Sequence, residues 1–275
     1  MSAPDAVTPF SALLAARTRD GQTVHFSVGD DWLQGRTAFG GLTSALAAQA
    51  MRDVGDVGWP SDVSLRALQV SFVGPVGAGP VEVRVTPLRE GKNVRQLQAT
   101  VRQDGKVSAV ALGVYAADRP SSLRPLRPQR PAASADADGL ASMPYIAGAM
   151  PAFLQHFERR WAAGALPFSG AEGRHCSIHV HLLDAGAAAL PPELLTVLLA
   201  DMSPTPVIGE LTAPAPSSSV SWALELRPVV PGAGWWRADT EAHVVHGGYV
   251  NQSAQLWSPG GELAALGYQV VTVFA

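Results

Sequence analysis

Residues 35–50 read GRTAFGGLTSALAAQA. Glycines open the stretch, and it then narrows to small side chains and leucine. Two structures use such a run. One is a phosphate-binding turn, which needs G-x-G-x-x-G behind a strand within a βαβ unit. GRTAFGG lacks that spacing, and the residues after it read as antiparallel hairpins. The other is a slim helix held inside a curved sheet, where no face has room for bulk. The second reading is adopted for Leu42–Ala50.

The surroundings of this helix recur along the chain. Residues 91–113, GKNVRQLQATVRQDGKVSAVALG, match residues 247–269, GGYVNQSAQLWSPGGELAALGYQ, at an offset of 156. Gly91 falls on Gly247, Val94 on Val250, Gln96 on Gln252 and Gly105 on Gly261. Both segments read strand, turn, strand, with QDGK and PGGE as the turns. Upstream, LQVSFVGPVGAGPVEV faces LELRPVVPGAGWWRA at an offset of 153. An apolar helical stretch precedes each block: Gly40 to Arg52, then Pro191 to Met202. Between the halves lies a segment rich in Pro, Ser and Arg that has no apolar periodicity, a linker or strap. The expected organisation is an N-terminal unit over 1–118, a linker over 119–150 and a C-terminal unit over 151–275.

The totals set limits. In 275 residues, 47% are hydrophobic and 16% charged, enough for a large core. The net charge of −3 gives no footprint for nucleic acid. A single cysteine, Cys176, excludes an intrachain disulfide and fits a reducing compartment. The N-terminus lacks the basic and apolar regions of a signal peptide. No run is long enough for a membrane span. A soluble cytoplasmic protein is expected.

In the second half, three polar residues stand where apolar ones belong. PPELLTVLLADMSP carries the stripe Leu194, Val197, Leu198 and then Asp201, at helical spacing. An anion in a last helical turn opposes the helix dipole and calls for a partner. In SSSVSWALELRP, Val220, Trp222, Leu224 and Leu226 share a face. Carried back two residues, that alternation reaches Ser218, which is therefore expected to point inward. In ELAALGYQVVTVF, Gln269 falls on the face of Leu263, Ala265, Gly267 and Val271, and a buried amide must be hydrogen-bonded. The repeat offsets pair Asp201 with Ala48, Ser218 with Leu65 and Gln269 with Gly113, bland positions all three.

GRTAFGGLTSALAAQA, SFVGPV, EGKNVRQLQATVRQDGK, LLAD, SSSVSWALELRP and GGELAALGYQ, in this order and spacing, resemble the type II acyl-CoA thioesterases. The resemblance implies an α+β double hotdog, two curved antiparallel sheets each wrapped around a central helix. It implies hydrolysis of acyl-CoA to free acid and CoA, with Asp201, Ser218 and Gln269 holding a water against the thioester carbonyl. Ser stands at 218 where the family more often has Thr. Backbone N–H groups at the Gly40–Gly41 turn are expected to bind substrate by holding the developing oxyanion. No cofactor or metal is required. The expected partner is the acyl-CoA substrate, with the chain pairing as a homodimer or tetramer.

Other motifs were weighed. His175, His179 and His181 share a strand face in HCSIHVH, but no carboxylate or Cys joins them locally, so a polar strand face is preferred to a zinc site. Cys176 on the opposite face reads as a small core residue. Asp20 and His25 in DGQTVH have the spacing of hotdog enoyl-CoA hydratases but lack the Asn-Pro pair of that signature, and the stretch reads as a hairpin turn. A hydratase, and a non-catalytic acyl-CoA or lipid binder, are the alternatives. Of Trp235 and Trp236, one is expected inside and one at an interface. The basic RPLRPQRP reads as solvated linker.

Overall fold

The structure is a computed structural model that describes residues 7–56, 59–132, 136–229 and 234–275. A short helix α1 (Phe10–Ala15) leads into the hairpin β1 (Thr18–Asp20) and β2 (Thr23–Val28). A two-stranded ribbon, β3 (Leu33–Gln34) and β4 (Thr37–Ala38), precedes the central helix α2 (Gly40–Gly55). Four strands follow: β5 (Ser64–Phe72), β6 (Gly79–Glu90), β7 (Val94–Gln103) and β8 (Lys106–Ala116). The second half repeats the plan with β9 (Phe157–Ala163), β10 (His175–Leu182), helix α3 (Pro192–Ala200), β11 (Ser217–Leu226), β12 (Trp236–His246), β13 (Tyr249–Trp257) and β14 (Leu263–Val273).

The Ala-rich run is indeed a helix buried on nearly all sides. Leu42, Ala45, Ala48 and Ala50 are fully covered. The small side chains let a second helix approach: a Cβ on Gly41 would lie 2.6 Å from the Leu198 carbonyl oxygen of α3. Alanine also has the highest helix propensity, so packing and local preference agree. The QDGK turn forms as read, with Asp104 at φ 50° and Gly105 at φ 74°, the pair of left-handed residues that a tight hairpin requires.

The two half-sheets expected from the repeat are joined edge to edge. The β5 edge of the first half pairs antiparallel with the β11 edge of the second, with Trp222 opposite Val70 and Leu224 opposite Leu68. The result is one sheet of twelve strands in the order β1-β2-β6-β7-β8-β5-β11-β14-β13-β12-β10-β9. Each half alone would leave an unpaired edge in mid-molecule, and the junction removes both. α2 and α3 pack against each other inside the curve.

The described part of the segment after β8 contains no named strand before β9. Its basic part is exposed at Arg119, Arg124 and Arg127. Further on it is pinned: the Arg237 Nη1 donates to the Pro131 carbonyl (2.7 Å) and Arg160 Nη1 to that of Ala137 (2.6 Å). Trp236 packs in the core, whereas Trp235 lies under the Arg160 guanidinium at 4.5 Å. That is the inside–outside split expected of adjacent strand residues.

Candidate active site

Helix α3 is apolar along Leu194, Val197 and Leu198, each fully buried. Asp201 is its C-cap, one residue past the last turn. This places a partly buried carboxylate between the C-terminus of α3 and the N-terminus of α2. Phe39, the N-cap of α2, supplies no side-chain cap. The Asp201 carboxylate lies at this helix start instead, with its Oδ2 against Gly40. One helix thus carries, at its disfavoured end, an anion that the other helix receives at its favoured end.

Gly40 makes this approach possible. A Cβ there would lie 2.7 Å from Asp201 Oδ2 and 3.4 Å from Phe72.

Gln269 on β14 completes the cluster. Its Nε2 donates to Asp201 Oδ1 at 2.9 Å and to the Ser219 hydroxyl oxygen at 2.8 Å. Its Oε1 accepts from Gln252 Nε2 of β13 at 2.9 Å. Burial pushes the Asp201 carboxyl up to about 6, against the opposing pull of the hydrogen bonds from Gln269 and Gly41. A carboxyl at that value is ionised at neutral pH yet basic enough to take a proton.

The hydroxyl is that of Ser219, not Ser218. Ser218 is exposed, and its hydroxyl reaches only the carbonyl of Ser219, at 3.4 Å. The reason is a bulge. Pairing with β14 runs Ser219 to Val271 and then Ser221 to Val270, so Val220 is the extra residue. A bulge shifts the inward set by one position. Trp222, Leu224 and Leu226 face the core as read, but Val220 is exposed and Ser219 takes the inward place. β5 carries the same irregularity between Leu65 and Ala67. Aligning the two bulges sets the local offset at 154, since 219 − 65 = 154, and makes Leu65 the counterpart of Ser219. The first half fills its equivalent space: Leu65 is buried, the Tyr115 hydroxyl donates to the Ala48 carbonyl, and Gly113 packs on Met51.

Gln252 was missed in the sequence, where it figures only as the repeat partner of Gln96. Its signal was the hairpin register, in which Gln252 faces Gln269 across β13 and β14. Counting back from the PGGE turn with Pro259 opposite Glu262 reaches that pair, since the shift between Leu256 and Trp257 stays beside the turn. Val207, Ala242, Val250 and Val271 form a smaller apolar cluster distinct from the main core.

The remaining candidates lie elsewhere. Asp20 is exposed at the β1–β2 hairpin, and His25 lies on β2 opposite Glu82 of β6, on the face away from buried Val24 and Phe26. Along β10, His175 is exposed, His179 buried, and the His181 Nδ1 within 3.2 Å of the Gly234 carbonyl. No group of three His, Cys, Asp or Glu side chains suited to a metal occurs among the described residues. Cys176 is buried with its sulfur 3.1 Å from the Ser203 hydroxyl, and burial pushes its thiol up to about 11, so it carries no thiolate at neutral pH. No described helix is long and apolar enough to cross a membrane.

Two helices held inside one curved antiparallel sheet built from a repeated half make this a double hotdog protein. The chain belongs to the acyl-CoA thioesterase family: residues 28–116 match the family's N-terminal domain and residues 128–273 its C-terminal domain. Solved structures share the fold over nearly the whole chain. A putative thioesterase II from Thermobifida fusca YX is 18% identical, with a TM-score of 0.80 and 98% of each chain covered. A tesB protein of Mycobacterium avium subs paratuberculosis is 17% identical, with a TM-score of 0.78, covering 98% of this chain and 100% of its own. A hot dog protein of unknown function from Alicyclobacillus acidocaldarius is 22% identical, with a TM-score of 0.78, covering 97% and 98%. No curated protein matches the chain.

Proposed function

We propose that this protein hydrolyses acyl-CoA thioesters to a free acid and CoA, with Asp201 as general base and Ser219 and Gln269 completing the water site. The observation that carries the reading is one amide nitrogen, Gln269 Nε2, bonded at once to a carboxylate and to a hydroxyl at the buried meeting point of two helices. Family membership supplies the substrate class.

The hydrogen-bond directions support these roles. Both amide protons of Gln269 are taken, by Asp201 and Ser219. The amide therefore sets the spacing of its two partners, and they hold the water. Because the Ser219 oxygen accepts from Gln269, its own proton is free for the water or the thioester oxygen. The water oxygen attacks the carbonyl carbon while Asp201 takes its proton. The tetrahedral intermediate collapses with cleavage of the C–S bond, and the proton passes from Asp201 to the departing sulfur. Gly40 and Gly41 serve this site by seating the base, and the helix start beside them is where the substrate carbonyl would approach.

The test is thiol release from a panel of acyl-CoAs between pH 5 and 8. The expected result is release that rises with pH, with kcat/KM following a single ionisation near 6, the value to which burial raises Asp201. Binding of acyl-CoA with no thiol released at any pH would instead make the protein a carrier.

A further inference from the structure

From the row Gln252–Gln269–Asp201 we infer that Gln252 is a positioning residue, whose amide fixes which way round the Gln269 carboxamide sits. The inference rests on the hydrolase reading above. A carboxamide has two ends of nearly equal shape, and only its partners decide which end is which. Here the nitrogen end of Gln269 faces two oxygens, those of Asp201 and Ser219. The reverse orientation would turn a carbonyl oxygen on the carboxylate and draw the Ser219 proton to itself, away from the water. Gln252 holds the working orientation by donating to Gln269 Oε1 at 2.9 Å.

Gln252 is suited to that part. It is 4% exposed, on a strand paired directly with that of Gln269, and so cannot swing into solvent. Its own Oε1 is buried and meets no donor among the described residues, so the amide is held through its nitrogen. The first half carries no such pair: Gln269 corresponds to Gly113, packed on Met51. Among the described residues no charged side chain is hydrogen-bonded to Asp201. Arg52 and Glu193 pair with each other at the opposite ends of α2 and α3. Glu210, Glu225, Glu241, His243, His246, Tyr249 and Tyr268, on the neighbouring 3-10 turn and strands, are exposed. Cys176 bonds Ser203.

The experiment compares kcat and KM for acyl-CoA hydrolysis across pH 5–8 in wild type, Gln252→Glu and Gln252→Met, with folding followed by thermal melting. Glutamate is the same shape. While protonated it donates to Gln269 Oε1 as Gln252 does; once ionised it only accepts, and draws the Gln269 nitrogen away from Asp201. Gln252→Glu should therefore be close to wild type at the acid end and fall about 100-fold behind in kcat at pH 8, with KM within about twofold. Gln252→Met, which removes the donor without reversing it, should lose about 10-fold in kcat by the same factor at every pH. Activity of Gln252→Glu that recovers fully by pH 8 would mean charge repulsion alone and overturn the inference. So would equal, pH-independent losses in the two variants, the mark of a packing role. A wild-type protein that releases no thiol brings down the hydrolase reading itself, and this inference with it.

Discussion

Asp201→Asn should lower kcat for acyl-CoA hydrolysis by about 1000-fold while the protein melts at the same temperature or higher. The two effects have one cause. Asparagine fills the same space and still offers Gln269 an acceptor, but it takes no proton from water. The folded protein holds the Asp201 carboxyl at about 6, above its ordinary value of 3.8. The sign of the linkage follows. Between these values the native state binds the extra proton, so stability falls as pH rises from about 4 to about 6 and stays lower above that. At neutral pH the buried carboxylate costs up to about 3 kcal/mol, and its removal should raise Tm by roughly 5–10 °C. Steady-state kinetics and thermal melts at pH 7.5 check both. Full activity in the variant removes Asp201 from the chemistry. An unfolded variant would mean that the Gly41 N–H needs the charge for the helix start to form.

Ser219→Ala and Ser218→Ala should separate sharply. Loss of the Ser219 hydroxyl leaves one Gln269 proton without a partner and the water without a donor, and kcat should drop by about 10- to 100-fold. Ser218 is exposed, with its hydroxyl on a neighbouring carbonyl, and its replacement should change kcat by less than about twofold. The comparison distinguishes a bulged strand from a regular one by chemistry alone. A large loss at 218 with none at 219 would place the other face of β11 inward.

These adjacent serines also mark where pattern reading stops. Alternation located the strand and its inward residues from Trp222 onward, and the family resemblance put it beside the carboxylate. It failed at Val220 because a bulge changes which residues share a face while leaving composition untouched. Both helices were legible: in α2 the small side chains announce close packing, and in α3 the apolar stripe ends on Asp201. Gln269 was legible too, as a lone amide on an apolar face. Gln252 was not singled out, since its meaning lies in a cross-strand pairing with Gln269 and not in the pattern of its own strand. The meeting of β5 and β11 was equally hidden. It depends on two strand edges finding each other at long range, and both strands look like ordinary edge partners within their own halves.

The same bulge in β5 and β11 suggests why only one half carries the chemistry. Each half places an inward residue just before its bulge, Leu65 in one and Ser219 in the other. In the first half a leucine, Tyr115 and Met51 close the space, and the Tyr115 hydroxyl is satisfied by a helix carbonyl. In the second half a serine, a glutamine and an aspartate occupy it. The scaffold is shared, and in the proposed reading three side chains turn one copy from core into site.

The most direct test is one turnover in H2(18O), with enzyme in excess over acyl-CoA and both the released acid and the intact protein weighed by mass spectrometry. Water attacking the thioester carbon directly, under Asp201, puts a single heavy oxygen in the acid and none in the protein. Unlabelled acid with the heavy oxygen found in the Asp201 carboxylate would contradict this account, because the acyl group would then have passed through the aspartate itself.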